Sequence, residues 1–149
     1  MHSGGRLPTI LLADDDAEDC LLLREALLGT PLRHELRVVP DGEELLDYLY
    51  RRGRYAERQA APRPDLVLVD LNMPKRDGRE VLRELKSDPA AQRIPIVILT
   101  MSTSEDDVAF AYAAGARSYI TKPATFQGWA QLAATLAKYW FELARIPQS

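Results

Sequence analysis

Cysteine is nearly missing from this chain: Cys20 is alone among 149 residues, so no intramolecular disulfide can form. With only His2 and His34 beside that one thiol, a structural zinc site has too few ligands. Cys20 itself reads as a small buried residue of a first helix rather than a redox centre. No apolar run reaches membrane-spanning length, and the opening Met-His-Ser-Gly-Gly-Arg has no apolar signal-peptide core, so a cytoplasmic address is expected. Charge of one sign is not in excess either. Nineteen Lys and Arg are interspersed with 22 Asp and Glu for a net −3, which excludes the basic footprint of a nucleic-acid binder or an anionic-membrane binder. Glycine is sparse, and none of the 8 glycines falls in a Gly-x-x-x-x-Gly-Lys-Ser/Thr or Gly-x-Gly-x-x-Gly pattern, which argues against a nucleotide-phosphate loop. What is present is a 46% apolar composition, enough for one buried core and little for a second, so one domain over 1–149 is expected, with its core at about 8–144 and short tails.

The chain is organised around Leu66 to Pro74, Leu-Val-Leu-Val-Asp-Leu-Asn-Met-Pro. Four consecutive apolar residues after the turn signal Pro62-Arg63-Pro64-Asp65 fit a strand buried on both faces, hence a central strand of a parallel sheet. It ends at Asp70, and Pro74 and Asp77-Gly78 prevent continuation as strand. Similar short runs, Ile10 to Ala13, Leu36 to Val39, Ile96 to Leu99 and Ser118 to Thr121, predict four more strands. Between them lie helical patterns. The first begins at Ala17 behind the capping Asp16, with Leu21, Leu22, Ala26 and Leu28 as its apolar positions, and stops at Gly29-Thr30-Pro31. The second carries Leu45, Leu46, Leu49 and Tyr50 and dissolves into a long basic loop from Arg51 to Pro64, either an interaction surface or tolerated variation. Gly78 to Ser87 is the third. The fourth starts from Ser102-Thr103-Ser104 and three acids and runs to Ala114-Gly115, and the last spans Phe126 to Leu143 with Trp129, Leu132, Ala133, Leu136, Trp140 and Leu143 on one stripe. Five βα units predict a doubly wound α/β fold with a parallel sheet and helices on both faces.

Right-handed crossovers put every carboxyl end of a parallel sheet on one side, where Asp14, Asp15, Asp70, Thr100 and Lys122 then converge. Three carboxylates against one ammonium leave a formal −2. Oxygen ligands of that charge suit Mg²⁺, which is usually held by one or two carboxylates plus a phosphate. Thr100 and Lys122 supply the donors a phosphoryl group needs. Each residue has a plainer role in isolation: an aspartate after a strand caps or pairs with a surface lysine, Lys122 is solvated, and Tyr119 merely packs. The convergence of all four strand ends weighs against the plain roles.

Taken in order, the acid pair after the first strand, Val-Asp-Leu-Asn-Met-Pro with a later Asp-Gly after the third, Ile-Leu-Thr after the fourth and Tyr-Ile-Thr-Lys-Pro after the fifth resemble the receiver domain of two-component response regulators. The resemblance covers Thr9 to about Leu143 and leaves no room for an output domain. It implies a flavodoxin-like sheet in the order 2-1-3-4-5 and Asp70 as the acceptor of phosphate from a histidine kinase. It further implies Mg²⁺ held by Asp15, Asp70 and the Asn72 carbonyl, with Asp14 acting through water. Thr100 and Lys122 would contact the phosphoryl group, and Tyr119 would be the aromatic residue whose rotamer follows Thr100 in switching. The protein would catalyse only its own phosphorylation and dephosphorylation. More narrowly, the loop before Pro62, Lys-Arg-Asp-Gly-Arg-Glu-Val-Leu and Tyr139-Trp140-Phe141-Glu142 resemble stand-alone receivers that partner bacterial phytochromes. One departure is Met101, where receivers usually carry a small residue, and it bears on phosphate lifetime. A haloacid-type phosphatase would want a second acid where Asn72 stands, and a pseudo-receiver docking scaffold would lack one of the acids, the threonine or the lysine. Finally, the fourth helix, Val108 to Ala114, is apolar all round and Phe141 points away from the core stripe, so a homodimer through helix 4, strand 5, helix 5 and the tail is expected, unless Phe141 folds under Ile146-Pro147 in a monomer.

Overall fold

The computed structural model describes residues 7–57 and 61–144, with side chains up to residue 139. Five strands, β1 (Thr9–Ala13), β2 (Glu35–Val39), β3 (Leu66–Val69), β4 (Ile96–Thr100) and β5 (Ser118–Thr121), alternate with α1 (Ala17–Leu28), α2 (Gly42–Tyr50), α3 (Gly78–Lys86), α4 (Glu105–Ala113) and α5 (Phe126–Ala144). All four pairings are parallel and the sheet order is β2-β1-β3-β4-β5, so β3 is the middle strand. This is the doubly wound receiver topology that the sequence leads one to expect.

Alternation along each strand divides the core in two. Leu11, Ala13, Val67, Val69, Ile96 and Ile98 face α2, α3 and α4 through Leu45, Leu46, Val81, Leu82, Leu85 and Ala111. Ile10, Leu12, Leu66, Leu68, Val97 and Leu99 meet Leu23 and Leu27 of α1 and Trp129, Leu132 and Leu136 of α5 on the other face. Each such leucine contributes about 2 kcal/mol by burial. The core face of α1 differs from the expected one: Leu21 and Leu28 are 53% and 71% exposed, while Leu23 and Leu27, four residues apart, are fully buried. Leucines lie around much of this helix, so its apolar pattern does not single out a face, and the sheet selects one. Cys20 is half-buried rather than buried, and burial with the nearby Asp14 pushes its thiol up to about 11, which keeps it protonated and inert.

The long segment after α2 packs back on the domain. Arg51 takes the left-handed conformation (φ 53°) that ends the helix, and a 3-10 turn at Gly53–Tyr55 buries Tyr55 against the Tyr48 ring at a centroid distance of 5.1 Å. The Tyr55 hydroxyl donates to Glu44 Oε1 (2.6 Å) and that of Tyr48 to the Pro62 carbonyl (2.7 Å). Two glycines set the spacing near the carboxyl edge. A Cβ on Gly78 would come 2.6 Å from the Asp70 carbonyl oxygen, and one on Gly42 would come 1.8 Å from that of Arg76, so only glycine permits these approaches.

Candidate functional site

Each carboxyl edge delivers its residue by a local device. Asp16 caps α1, accepting from the Glu18 and Asp19 amides, and so starts the helix immediately beyond the acid pair. The Asp70 amide donates to the Ala13 carbonyl, which keeps the β1 and β3 ends level. Asp77 caps α3 after a turn with Lys75 at φ 64°, and Ser104 caps α4 by accepting from the Asp107 amide. The Lys122 amide donates to the Thr100 carbonyl, bringing the β5 end to β4.

These devices bring four buried polar side chains together: Asp14 (2% exposed), Asp70 (5%), Thr100 (0%) and Lys122 (7%). The Thr100 hydroxyl donates to Asp70 Oδ1 at 2.6 Å, the Asn72 amide donates to the same oxygen at 3.0 Å, and Lys122 Nζ donates to Asp70 Oδ2 at 2.9 Å. Asp15 is exposed, and one carboxylate oxygen each from Asp14, Asp15 and Asp70 lie within 4.8 Å of one another. Lys122 Nζ stands 2.8 Å from Asp14 Oδ2, but obliquely, so this buried oxygen has no aligned hydrogen-bond donor. A buried anionic oxygen paired with one ammonium but outside hydrogen-bonding alignment, in a triad of oxygen ligands, fits a divalent cation.

Burial works against the Lys122 charge, but its contacts with Asp14, Asp19 and Asp70 more than offset it and hold the ammonium well above the usual lysine range. Asp14 is shifted upward, chiefly by burial, despite its contacts with Lys122 and the Asp16 amide. Lys122 is therefore a fixed positive charge, whereas Asp14 is a carboxylate under strain.

The structure thus gathers Asp14, Asp15, Asp70, Thr100 and Lys122 as the strand ends imply. The Asn72 side chain is exposed and reaches towards Arg79 at 3.4 Å, leaving its backbone to face Asp70. Tyr119 is half-buried, its hydroxyl donating to the Ser102 carbonyl at 2.9 Å in the loop after Thr100. Met101 is 66% exposed. Two features were not anticipated from sequence. Asp19 accepts from Lys122 Nζ at 2.7 Å; its place three residues after the cap, in the first turn of α1, was the available signal. Arg79 clasps Asp107 with two bonds of 2.9 and 2.7 Å, and Asp107 in turn accepts from the Ser102 hydroxyl at 2.6 Å. Nothing in the spacing of α3 and α4 announces that pair. The Phe141, Trp140 and Leu143 side chains and the tail with Ile146-Pro147 lie outside the described residues.

Residues 10–133 match the response regulator receiver domain, and the chain belongs to that family of two-component signalling proteins. The similarity extends to individual response regulators. Rcp1 of Synechocystis sp. is 38% identical over 138 residues, 93% of this chain and 92% of Rcp1, and the structure of its Mn²⁺-bound form superposes with a TM-score of 0.83 at 38% identity, over 95% of this chain and 99% of that one. The phosphorylated cyanobacterial phytochrome response regulator RcpA gives a TM-score of 0.85 at 42% identity, over 96% of this chain and 100% of RcpA. RPA3017, a response regulator in red-light signalling of R. palustris, gives 0.86 at 38% identity, over 96% and 100%. The acids, threonine and lysine whose loss would mark a pseudo-receiver are all present. Among the described residues no helix is long and apolar enough to cross a membrane.

Proposed function

We propose that this receiver accepts a phosphoryl group on Asp70 from a histidine kinase of the phytochrome type and relays the signal, from the cytoplasm, through protein contacts. The observation that carries the reading is the environment of Asp70: a nearly buried carboxylate at the end of the central strand, held by Thr100, Lys122 and the Asn72 amide. Those contacts orient the carboxylate for in-line attack on a phosphohistidine. The phosphorus–nitrogen bond breaks as a carboxylate oxygen bonds to phosphorus, and the electron pair returns to the imidazole.

Asp14, Asp15, Asp70 and the Asn72 carbonyl are the residues that would hold Mg²⁺, Asp14 through water. When bound, the cation would neutralise charge on the phosphoryl oxygens. Thr100 and Lys122 transfer their donors from the carboxylate to the phosphoryl oxygens, and Thr100 moving inward leaves room for Tyr119 to follow. By the same contacts the chain promotes its own phosphorylation and the later hydrolysis. It works as a homodimer through α4, β5, α5 and the tail.

Labelled phosphate supplied by a phosphorylated phytochrome kinase is the test. Wild type should become labelled in Mg²⁺ and Asp70→Asn should not. Equal labelling of the two would place the acceptor elsewhere.

A further inference from the structure

We infer that Asp19 is a positioning residue that anchors the Lys122 ammonium while the phosphoryl group arrives at and leaves Asp70, an inference that rests on the acceptor role proposed above. Lys122 Nζ makes two aligned hydrogen bonds, to Asp19 Oδ2 at 2.7 Å and to Asp70 Oδ2 at 2.9 Å, and its 2.8 Å approach to Asp14 Oδ2 is oblique. Of these three acids, two change when the site works. Phosphorylation converts the Asp70 carboxylate into an acyl phosphate, whose charge lies further out on the phosphoryl oxygens. Asp14 is one of the acids that would hold the cation. Asp19 does neither.

Its backbone is pinned as well, because the Asp19 amide is one of the two taken by the Asp16 cap. A lysine ammonium is a point charge on a flexible four-carbon stem, and it goes where the nearest acceptor holds it. With its side chain 4% exposed, Lys122 has little water to turn to, so of these three acids Asp19 is the one able to hold Nζ beside Asp70 throughout the exchange. Asp19 also places a negative charge near an incoming anion, which opposes binding. Its side chain is 21% exposed, so water screens that longer-range repulsion, whereas the direct 2.7 Å contact is not screened. Anchoring therefore outweighs repulsion, and this fixes the sign of the effect.

The test compares wild type with Asp19→Ala, which removes the acceptor, and Asp19→Asn, which keeps an oxygen but loses the charge. In metal-free protein, nitrogen-15 NMR should show a slowly exchanging Lys122 ammonium in wild type that is lost in Asp19→Ala and partly restored in Asp19→Asn. With Mg²⁺ and beryllofluoride as the phosphoryl mimic, Asp19→Ala should bind about tenfold more weakly, the loss expected for one charge-assisted bond, and Asp19→Asn should lie between. In a Lys122→Met background Asp19→Ala should have no further effect, and Mg²⁺ affinity alone should change less than beryllofluoride affinity. Tighter beryllofluoride binding by Asp19→Ala would make Asp19 a repulsive charge, and a loss that persists in Lys122→Met would make it a ligand; either overturns the anchor, as does an ammonium signal unchanged by Asp19→Ala. If Asp70→Asn bound beryllofluoride as wild type does, the acceptor assignment would fall while the metal-free ammonium signal still decided the anchor.

Discussion

At Asp14 burial and charge oppose each other. The folded site raises this carboxyl above its ordinary 3.8, so the native state holds the proton more tightly than the unfolded chain does. Keeping Asp14 charged therefore costs stability in full at pH values above its raised pKa, and the cost is relieved as pH falls through that value towards 3.8. Asp14→Asn removes the penalty and leaves Lys122 two carboxylates. In metal-free protein near pH 7 the variant should melt a few degrees higher than wild type, with the gap closing in acid. The same substitution should weaken Mg²⁺ binding, measured by calorimetric titration, because the site loses an anionic oxygen. A lower melting temperature at neutral pH would mean that Asp14 is fully compensated by Lys122.

Between elements, the Arg79 and Asp107 clasp is the main polar tie from α3 to α4. It joins Asn72 on one side to Ser102 and, through the Ser102 carbonyl, to Tyr119 on the other. Both side chains are less than a third exposed and the pairing is bidentate, so a double-mutant cycle with Arg79→Met and Asp107→Asn should give a coupling of about 1 kcal/mol, above that of an ordinary surface pair. The bonds from Arg79 and Ser102 lower the Asp107 carboxyl below its ordinary 3.8. A depressed acid contributes stability that is complete above 3.8 and is lost as pH falls through the depressed value. Chemical denaturation between pH 5 and pH 2 should accordingly show a steeper acid decline in wild type than in Asp107→Asn. Parallel declines would leave the clasp without energetic weight.

For the whole molecule the notable surface is α4. Among its residues only Ala111 is fully buried; Tyr112 is 50% exposed, and Phe110 is half-covered, with the Arg83 guanidinium 4.9 Å above its ring. A solvated helix this apolar is what a homodimer through α4, β5 and α5 would use. Sedimentation across a concentration series, with and without beryllofluoride, should show a dimer that Tyr112→Asp or Phe141→Asp weakens. A monomer at high micromolar concentration in both conditions would remove the homodimer from the proposal.

By itself the sequence determined the order of elements and the sheet edge on which the chemistry gathers. Uninterrupted apolar runs specify strands buried on both faces, and right-handed crossovers leave their carboxyl ends, with Asp14, Asp15, Asp70, Thr100 and Lys122, on one side. The capping acid Asp16 and the capping hydroxyls that lead into α4 were equally legible, because capping is local. Only the tertiary structure decided the rest. It chose Leu23 and Leu27 over Leu21 and Leu28 as the core face of α1, since that face is fixed by the sheet and α5 rather than by the helix's own pattern. It also paired Lys122 with Asp19 across 103 positions and Arg79 with Asp107 across 28. Such pairs depend on where separate helices come to rest on the sheet, and no spacing within either helix encodes that.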